Sequence, residues 1–177
     1  MSTAACRGCL LASFALVLSI VIWGRYTCRT CNYISDTIPG LPYAAVSSVA
    51  VLACVLFYVG MVGANPHRSV IFRVSVACIS ICLALTLMVT LPMSRRFHWC
   101  TSGLAFAGLL LLFTWDLSVR PRKPSRKILL GALLVLLYAL FLTQSVCFLK
   151  KNSTAGPRAQ AALILGNWLY VILAWYD

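Results

Sequence analysis

The sequence predicts an all-α membrane protein, a bundle of about six transmembrane helices, and three observations support this fold class. The 177 residues are 62% hydrophobic and only 10% charged, whereas soluble domains carry about 25% charged residues. Mean hydropathy is +0.93, so the chain has more apolar surface than a soluble core can bury. Its apolar residues form long continuous runs without the period of two that membrane β-strands show.

Each predicted span approaches the length that a bilayer requires, which is roughly 20 apolar residues with about 17 as the lower limit. The spans are residues 9–23, 43–64, 70–91, 99–119, 128–149 and 160–176. The first and last are short. A signal peptide is the alternative for the first, but its apolar run ends in the bulky stretch WGRY, a poor cleavage site. Because all loops are short, we expect residues 1–177 to form a single transmembrane domain with a retained first helix.

The basic residues indicate the orientation of the chain. The net charge is +12, which in a soluble protein would suggest a nucleic-acid partner. Here the cations fall between apolar runs, so we expect no nucleic-acid binding. The densest cluster, RPRKPSRK at residues 120–127, is placed in the cytosol by the positive-inside rule, with both termini on the same side and the Asn152 sequon outside. Five cations of this cluster are predicted to attract anionic lipid headgroups: Arg120, Arg122, Lys123, Arg126 and Lys127.

Two ionisable residues belong to the fourth predicted span, where charge is costly and raises the question of a function. Asp116 lies near the cytosolic end, and we interpret it as an interfacial carboxylate paired with Arg120 four residues later. His98 opens the span from the outside. It is either an interfacial histidine or a proton carrier or headgroup ligand.

Four cysteines share a CxxC spacing, Cys6 with Cys9 and Cys28 with Cys31. Two such pairs resemble a zinc site. The first span would place them on opposite sides of the membrane, so no metal site is expected. Cys6 and Cys9 are candidates for palmitoylation, with two unmodified thiols as the alternative. Cys28 and Cys31 would face an oxidising lumen, where they can form a disulfide.

The segment YISDTIPGLPY, residues 33–43, connects the first two spans. Its prolines and glycine stop a helix and stiffen the entry to the second span. Ser35, Asp36 and Thr37 can bond local backbone amides. Asp36 is either a salt-bridge partner of Arg25 and Arg29 or a ligand for a lipid headgroup.

This segment resembles the first luminal loop of the DRAM (damage-regulated autophagy modulator) proteins. Their wider six-span family includes Sfk-type proteins and the post-GPI-attachment factor. The match covers the YISDT phrase, from Tyr33 to Thr37, with Pro42. His98 and the aromatic last span ending in Asp177 also fit, although Asn167 stands where an acidic residue is commoner. The resemblance implies a protein of the ER, Golgi, lysosome or plasma membrane that acts on lipids, GPI anchors or autophagy.

No catalytic signature or cofactor motif is recognised in the sequence. We therefore expect a non-enzymatic lipid-handling or regulatory protein, whose outer site would comprise Ser35, Asp36 and Thr37. An accessory subunit of a larger membrane complex is the alternative. A lipid-modifying enzyme using His98 is the third hypothesis.

Overall fold

The computed structural model describes residues 2–27, 42–64, 69–89, 94–149 and 155–175, and these form six helices without a strand. The helices are α1 (Thr3–Thr27), α2 (Tyr43–Ala64), α3 (Val70–Met88), α4 (Arg95–Val119), α5 (Pro124–Leu149) and α6 (Ala155–Trp175). The first five contain segments long and apolar enough to cross a membrane, and the apolar part of α6, Arg158–Ala174, is shorter. The predicted all-α, multi-pass membrane architecture is confirmed.

Four helices, α1, α4, α5 and α6, begin before their predicted spans, because hydropathy and helical hydrogen bonding change at different residues, and α4 and α5 show the reason. Helix α4 begins at Arg95, where the apolar run begins only at residue 99. Ser94 caps this helix, since its Oγ accepts from the Phe97 amide at 3.4 Å and its carbonyl accepts from the His98 amide at 2.9 Å. Helix α5 begins at Pro124, a residue suited to the first helical position because its missing N–H has no partner to lose there.

The helices are grouped into two compact units, Met1–Ala105 and Phe106–Asp177, with the boundary inside α4. We call them the N-terminal unit and the C-terminal unit. In the N-terminal unit, α1 packs against α2 and α2 against α3. In the C-terminal unit, α5 packs along α6.

Close contact between α1 and α2 depends on small residues. Gly60 of α2 lies against Leu10 and the backbone of Cys6, so that a Cβ at this glycine would be 2.6 Å from the Leu10 Cγ atom. About one turn further along α1, the Ser13 hydroxyl donates to the Ala53 carbonyl of α2 at 2.7 Å. Glycine permits this approach and the hydroxyl adds an interhelical hydrogen bond, as is common in membranes.

Large apolar side chains point outward on every helix. The exposed set includes Leu11, Ile22, Val51, Leu52, Val70, Ile71, Leu104, Leu111, Ile128, Val135, Leu142, Leu165 and Leu169. In water, contiguous apolar surface of this kind would mark a binding or aggregation site. On helices of this length and hydropathy it is the surface that faces the lipid chains.

Candidate functional site

Asp116 is the centre of a charged cluster in the C-terminal unit and the only acidic residue in the part of the chain that the structure describes. Its side chain is 2% exposed. One carboxylate oxygen lies 3.4 Å from the Nε atom of Arg120, and the other lies 2.5 Å from an Nη atom of Arg122. The predicted pairing with Arg120 is therefore confirmed, and Arg122 is the closer partner.

The turn after α4 brings Arg122 back to this carboxylate. The helix ends at Val119, and the last helical hydrogen bond runs from the Arg120 amide to the Asp116 carbonyl at 3.0 Å. Pro121 follows and cannot continue the ladder, because it has no amide hydrogen. The chain turns, and Arg122 donates a further hydrogen bond to the Asp116 main-chain carbonyl at 3.2 Å. Arg122 thus binds both the side chain and the backbone of the same residue.

The same arginines bind the end of α6. Nη atoms of Arg120 and Arg122 each lie 3.4 Å from the Ala174 carbonyl oxygen. Arg126, in the first turn of α5, donates to the Leu173 carbonyl. The last carbonyls of a helix have no partner within it and carry partial negative charge, so guanidinium groups are suitable ligands for them. We call Asp116, Arg120, Arg122 and Arg126 the arginine clamp.

Tyr170 aligns α6 with α4 one turn before the clamp. Its ring stacks on Phe113 with centroids 4.2 Å apart and planes inclined by 16°. Its hydroxyl donates to the Phe113 carbonyl at 3.1 Å. Both side chains are fully buried. This contact joins α6 to α4 close to the Ala174 carbonyl that the arginines bind.

The clamp places the guanidinium groups of Arg120 and Arg122 against the Asp116 carboxylate. The Arg120 side chain is 17% exposed and that of Arg122 is 3% exposed. Burial lowers the pKa of Arg120, and the Asp116 carboxylate opposes that shift. Arginine nevertheless stays charged at neutral pH, which a buried lysine need not do. Because a charge taken out of water is costly unless it is paired, the clamp depends on its carboxylate and on the α6 carbonyls.

The two lysines of the basic cluster face the other way. Lys123 precedes α5 and Lys127 lies in its first turn, and both side chains are exposed. The hydrogen bond from the Lys127 amide to the Lys123 carbonyl, 3.0 Å long, sets them one helical turn apart. The five cations predicted to attract headgroups therefore form two groups. The arginines turn toward α6, and the lysines turn outward.

His98 has a different setting, in the N-terminal unit. It is 4% exposed, and its Nδ1 atom lies 2.7 Å from the carbonyl oxygen of Val89, the residue that ends α3. A carbonyl only accepts, so Nδ1 carries the hydrogen. Nearby, the hydroxyls of Thr86 and Thr101 are 3.1 Å apart. These bonds join the end of α3 to the start of α4, an arrangement that favours the interpretation of His98 as a structural interfacial residue.

The remaining predicted site residues are described only in part. Cys6 is fully buried and Cys9 is partly exposed, so Cys9 is the more accessible candidate for palmitoylation. No group of metal-binding side chains occurs in the described ranges. Seven further predictions fall outside the described residues: Cys28, Cys31, Ser35, Asp36, Thr37, Asn152 and Asp177.

Sequence reasoning found the cluster but not its connection to α6. The i to i+4 spacing of Asp116 and Arg120 is a local signal. The contacts of Arg122 and Arg126 with Ala174 and Leu173 cross about fifty residues of chain. The sequence does indicate a charge cluster, because the single acid in the described residues lies one turn before the densest run of cations. Nothing in that spacing names the helix that receives the arginines.

The fold and the clamp together define a multi-pass α-helical membrane protein with a buried charge cluster at the end of its last helix. Comparisons with protein-family models, with curated proteins and with solved structures find no match to this chain. The resemblance of the YISDT segment to the DRAM family therefore stays a prediction.

Proposed function

We propose that this protein is a non-enzymatic, DRAM-like endomembrane protein that handles lipids, and that its α4–α5 loop binds anionic headgroups on the cytosolic side. The observation that supports this most directly is the division of the basic cluster. Lys123 and Lys127 are exposed one turn apart, next to the arginine clamp. Exposed lysines on a loop between two apolar helices attract anionic lipid, and we expect this loop to lie at the depth of the headgroups.

The expected strength of this attraction is modest and depends on salt. A lysine near an anionic membrane surface contributes about 1 kcal/mol. Two lysines would then contribute about 2 kcal/mol, which is roughly a thirtyfold preference for anionic over zwitterionic lipid. The N-terminal end of α5 carries a partial positive charge, which adds to the attraction. Lys127 lies in this first turn. Screening by salt would reduce the preference.

The first test measures which lipids stay bound to the purified protein. Native mass spectrometry after addition of phosphatidylserine or phosphatidylcholine would compare the wild type with the double variant Lys123→Gln/Lys127→Gln. We expect the double variant to lose about tenfold or more of its phosphatidylserine preference. The matched control is Arg96→Gln/Arg158→Gln, which removes the same charge at exposed positions near the starts of α4 and α6. Equal loss in the control, or no loss in either variant, would contradict a specific headgroup site.

The lipid-handling role itself is tested in cells. The resemblance supports a role in GPI-anchor or lysosomal lipid metabolism, with Asp36 on the opposite face as its working residue. Cells lacking the gene would be compared for surface GPI-anchored protein and for the acyl chains on those anchors. We expect a change that wild type restores and Asp36→Asn, at equal expression, does not. No change in lipids would shift the assignment toward an accessory subunit of a membrane complex, to be sought by co-purification at fixed stoichiometry.

A further inference from the structure

We infer that the arginine clamp couples headgroup binding at the α4–α5 loop to docking of the end of α6. This inference rests on the proposed function for the identity of the ligand, an anionic lipid headgroup. It adds a consequence that headgroup binding alone does not imply. The end of the last helix would be held more firmly when the loop is occupied.

Side chains alternate in direction along one short segment, residues 122–127. Arg122 and Arg126 reach the α6 carbonyls, whereas their neighbours Lys123 and Lys127 are exposed. Adjacent residues share a backbone, so the position of this segment sets both groups at once. A headgroup held by the lysines would restrict the same turn from which the two arginines project.

The end of α6 depends on these contacts. Within the described residues, the apolar part of α6, Arg158–Ala174, is shorter than the candidate spans of the other five helices. It also buries Asn167, which is 5% exposed. The Asn167 amide group donates to the Leu163 carbonyl at 2.6 Å, while its Oδ1 atom has no hydrogen-bond partner among the described residues. A buried polar atom without a partner is costly, so the final turn of α6 relies on Tyr170 and the clamp to stay docked.

The direction of the coupling follows from the shared turn. An anion held by Lys123 and Lys127 restricts the segment from which Arg122 and Arg126 project, and so stabilises the form in which these arginines bind α6. The anion does not displace Asp116 from Arg122, because the Arg122 side chain is only 3% exposed. By thermodynamic reciprocity, a lipid that prefers the docked form must favour docking by the same factor.

The experiment follows amide hydrogen exchange in nanodiscs of phosphatidylcholine, with or without phosphatidylserine. In the wild type, phosphatidylserine should slow exchange at the end of α6, residues 168–175, by about fivefold or more, the lower range of usual coupling. Lys123→Gln/Lys127→Gln should remove this response. Arg126→Gln should speed exchange at the end of α6 even without phosphatidylserine, and by reciprocity it should weaken phosphatidylserine binding by no more than the factor by which phosphatidylserine slows α6 exchange in the wild type.

The matched control is Lys127→Gln. It removes the same charge at the residue next to Arg126, where the side chain is exposed. It should leave α6 exchange in pure phosphatidylcholine unchanged. Exchange across α2, residues 43–64, serves as the folding reference. If Arg126→Gln does not fold, Arg126→Lys, which keeps the charge but loses the planar fork, should still speed α6 exchange.

Two results would overturn the inference and one would overturn the proposed function instead. If Arg126→Gln shows the same α6 exchange as the wild type, the clamp does not hold this helix. The same conclusion follows from Arg126→Lys if only that variant folds. Lysine-dependent lipid retention without any slowing of α6 exchange would leave the headgroup site standing and remove the coupling. Loss of protection in Arg126→Gln together with no preference for phosphatidylserine in the wild type would leave the clamp standing and remove its lipid ligand.

Discussion

The two units of the molecule use different means to hold their helices together. The N-terminal unit relies on close apolar packing and neutral hydrogen bonds, such as the contact of Gly60 with Leu10 and the bond from Ser13 to Ala53. The C-terminal unit adds a buried ionic cluster, in which Asp116 and Arg122 join the end of α4 to the end of α6. Both units are apolar outside, so the difference lies in their interiors.

This difference indicates where a function is to be sought. Apolar packing and hydroxyl bonds are what a membrane bundle needs in order to be stable. A buried ion pair adds little net stability, because the cost of its desolvation offsets its Coulombic attraction. The cluster of the C-terminal unit is therefore the better candidate for a functional element among the described residues.

Asp116→Asn is expected to have the largest effect. It leaves the nearly buried Arg122 guanidinium without its carboxylate, and removal of one partner from a buried pair costs about 3–5 kcal/mol. Unfolding in mild detergent, followed by hydrogen exchange in both units, should show lost protection in α6 and unchanged protection in α2. Asp116→Glu keeps the charge and should retain more stability than the asparagine variant. Equal losses of protection in α2 and α6 would remove the distinction between the units.

Gly60→Ala should have an intermediate effect, confined to the N-terminal unit. The added Cβ would lie 2.6 Å from the Leu10 Cγ atom and 3.0 Å from the Cys6 carbonyl oxygen. Overpacking of this kind costs about 1–3 kcal/mol. Thermal unfolding would be compared with that of Gly103→Ala, whose Cβ meets nothing within 4 Å. That control should be neutral or up to about 1 kcal/mol more stable, because alanine favours helix over glycine. Similar losses in both variants would mean that helix packing at Gly60 is looser than described.

Ser13→Ala and Tyr170→Phe should have the smallest effects, and they should be alike. Each removes one interhelical hydrogen bond, at 2.7 Å to Ala53 and at 3.1 Å to Phe113. Such bonds contribute about 0.6 kcal/mol on average in membranes. Tyr170→Phe keeps the aromatic stack. Equal small shifts in thermal stability would show that neutral hydrogen bonds serve both units equally and that the clamp makes the difference. A much larger effect of Tyr170→Phe would transfer part of that role to the hydroxyl.

The sequence was sufficient for the fold class and for most helix positions, because long apolar runs are a local property. Residues 43–64 were predicted as a span, and α2 has the same bounds. The errors fall at the helix ends: α1, α4, α5 and α6 begin earlier than predicted, and α3 ends at Met88 rather than at residue 91. Residues 95–98 and 124–127 are too polar for a hydropathy run but continue the helical hydrogen bonding, since Ser94 caps α4 and Pro124 is suited to begin α5.

The candidate site was predictable only as far as its local contacts. The spacing of Asp116 and Arg120 fixes one ion pair, and the richness of residues 120–127 in cations suggests headgroups. Which cations turn inward depends on the turn at Pro121 and on the arrival of α6, and neither can be read from residue type. Lysine and arginine are interchangeable in a charge count, yet in this loop the arginines bind the helix end and the lysines are exposed.

The contacts of the arginines with α6 have a consequence for biosynthesis. The carbonyls of Leu173 and Ala174 are synthesised 47 to 54 residues after the arginines that bind them, an interval of several seconds at about 5–20 residues per second. Asp116 precedes all three arginines and is present throughout. It can serve as their internal counter-ion while α4 and α5 enter the membrane, before the last helix exists. The carboxylate would then first pair with the arginines of its own loop during membrane insertion, and would later form part of the arginine clamp.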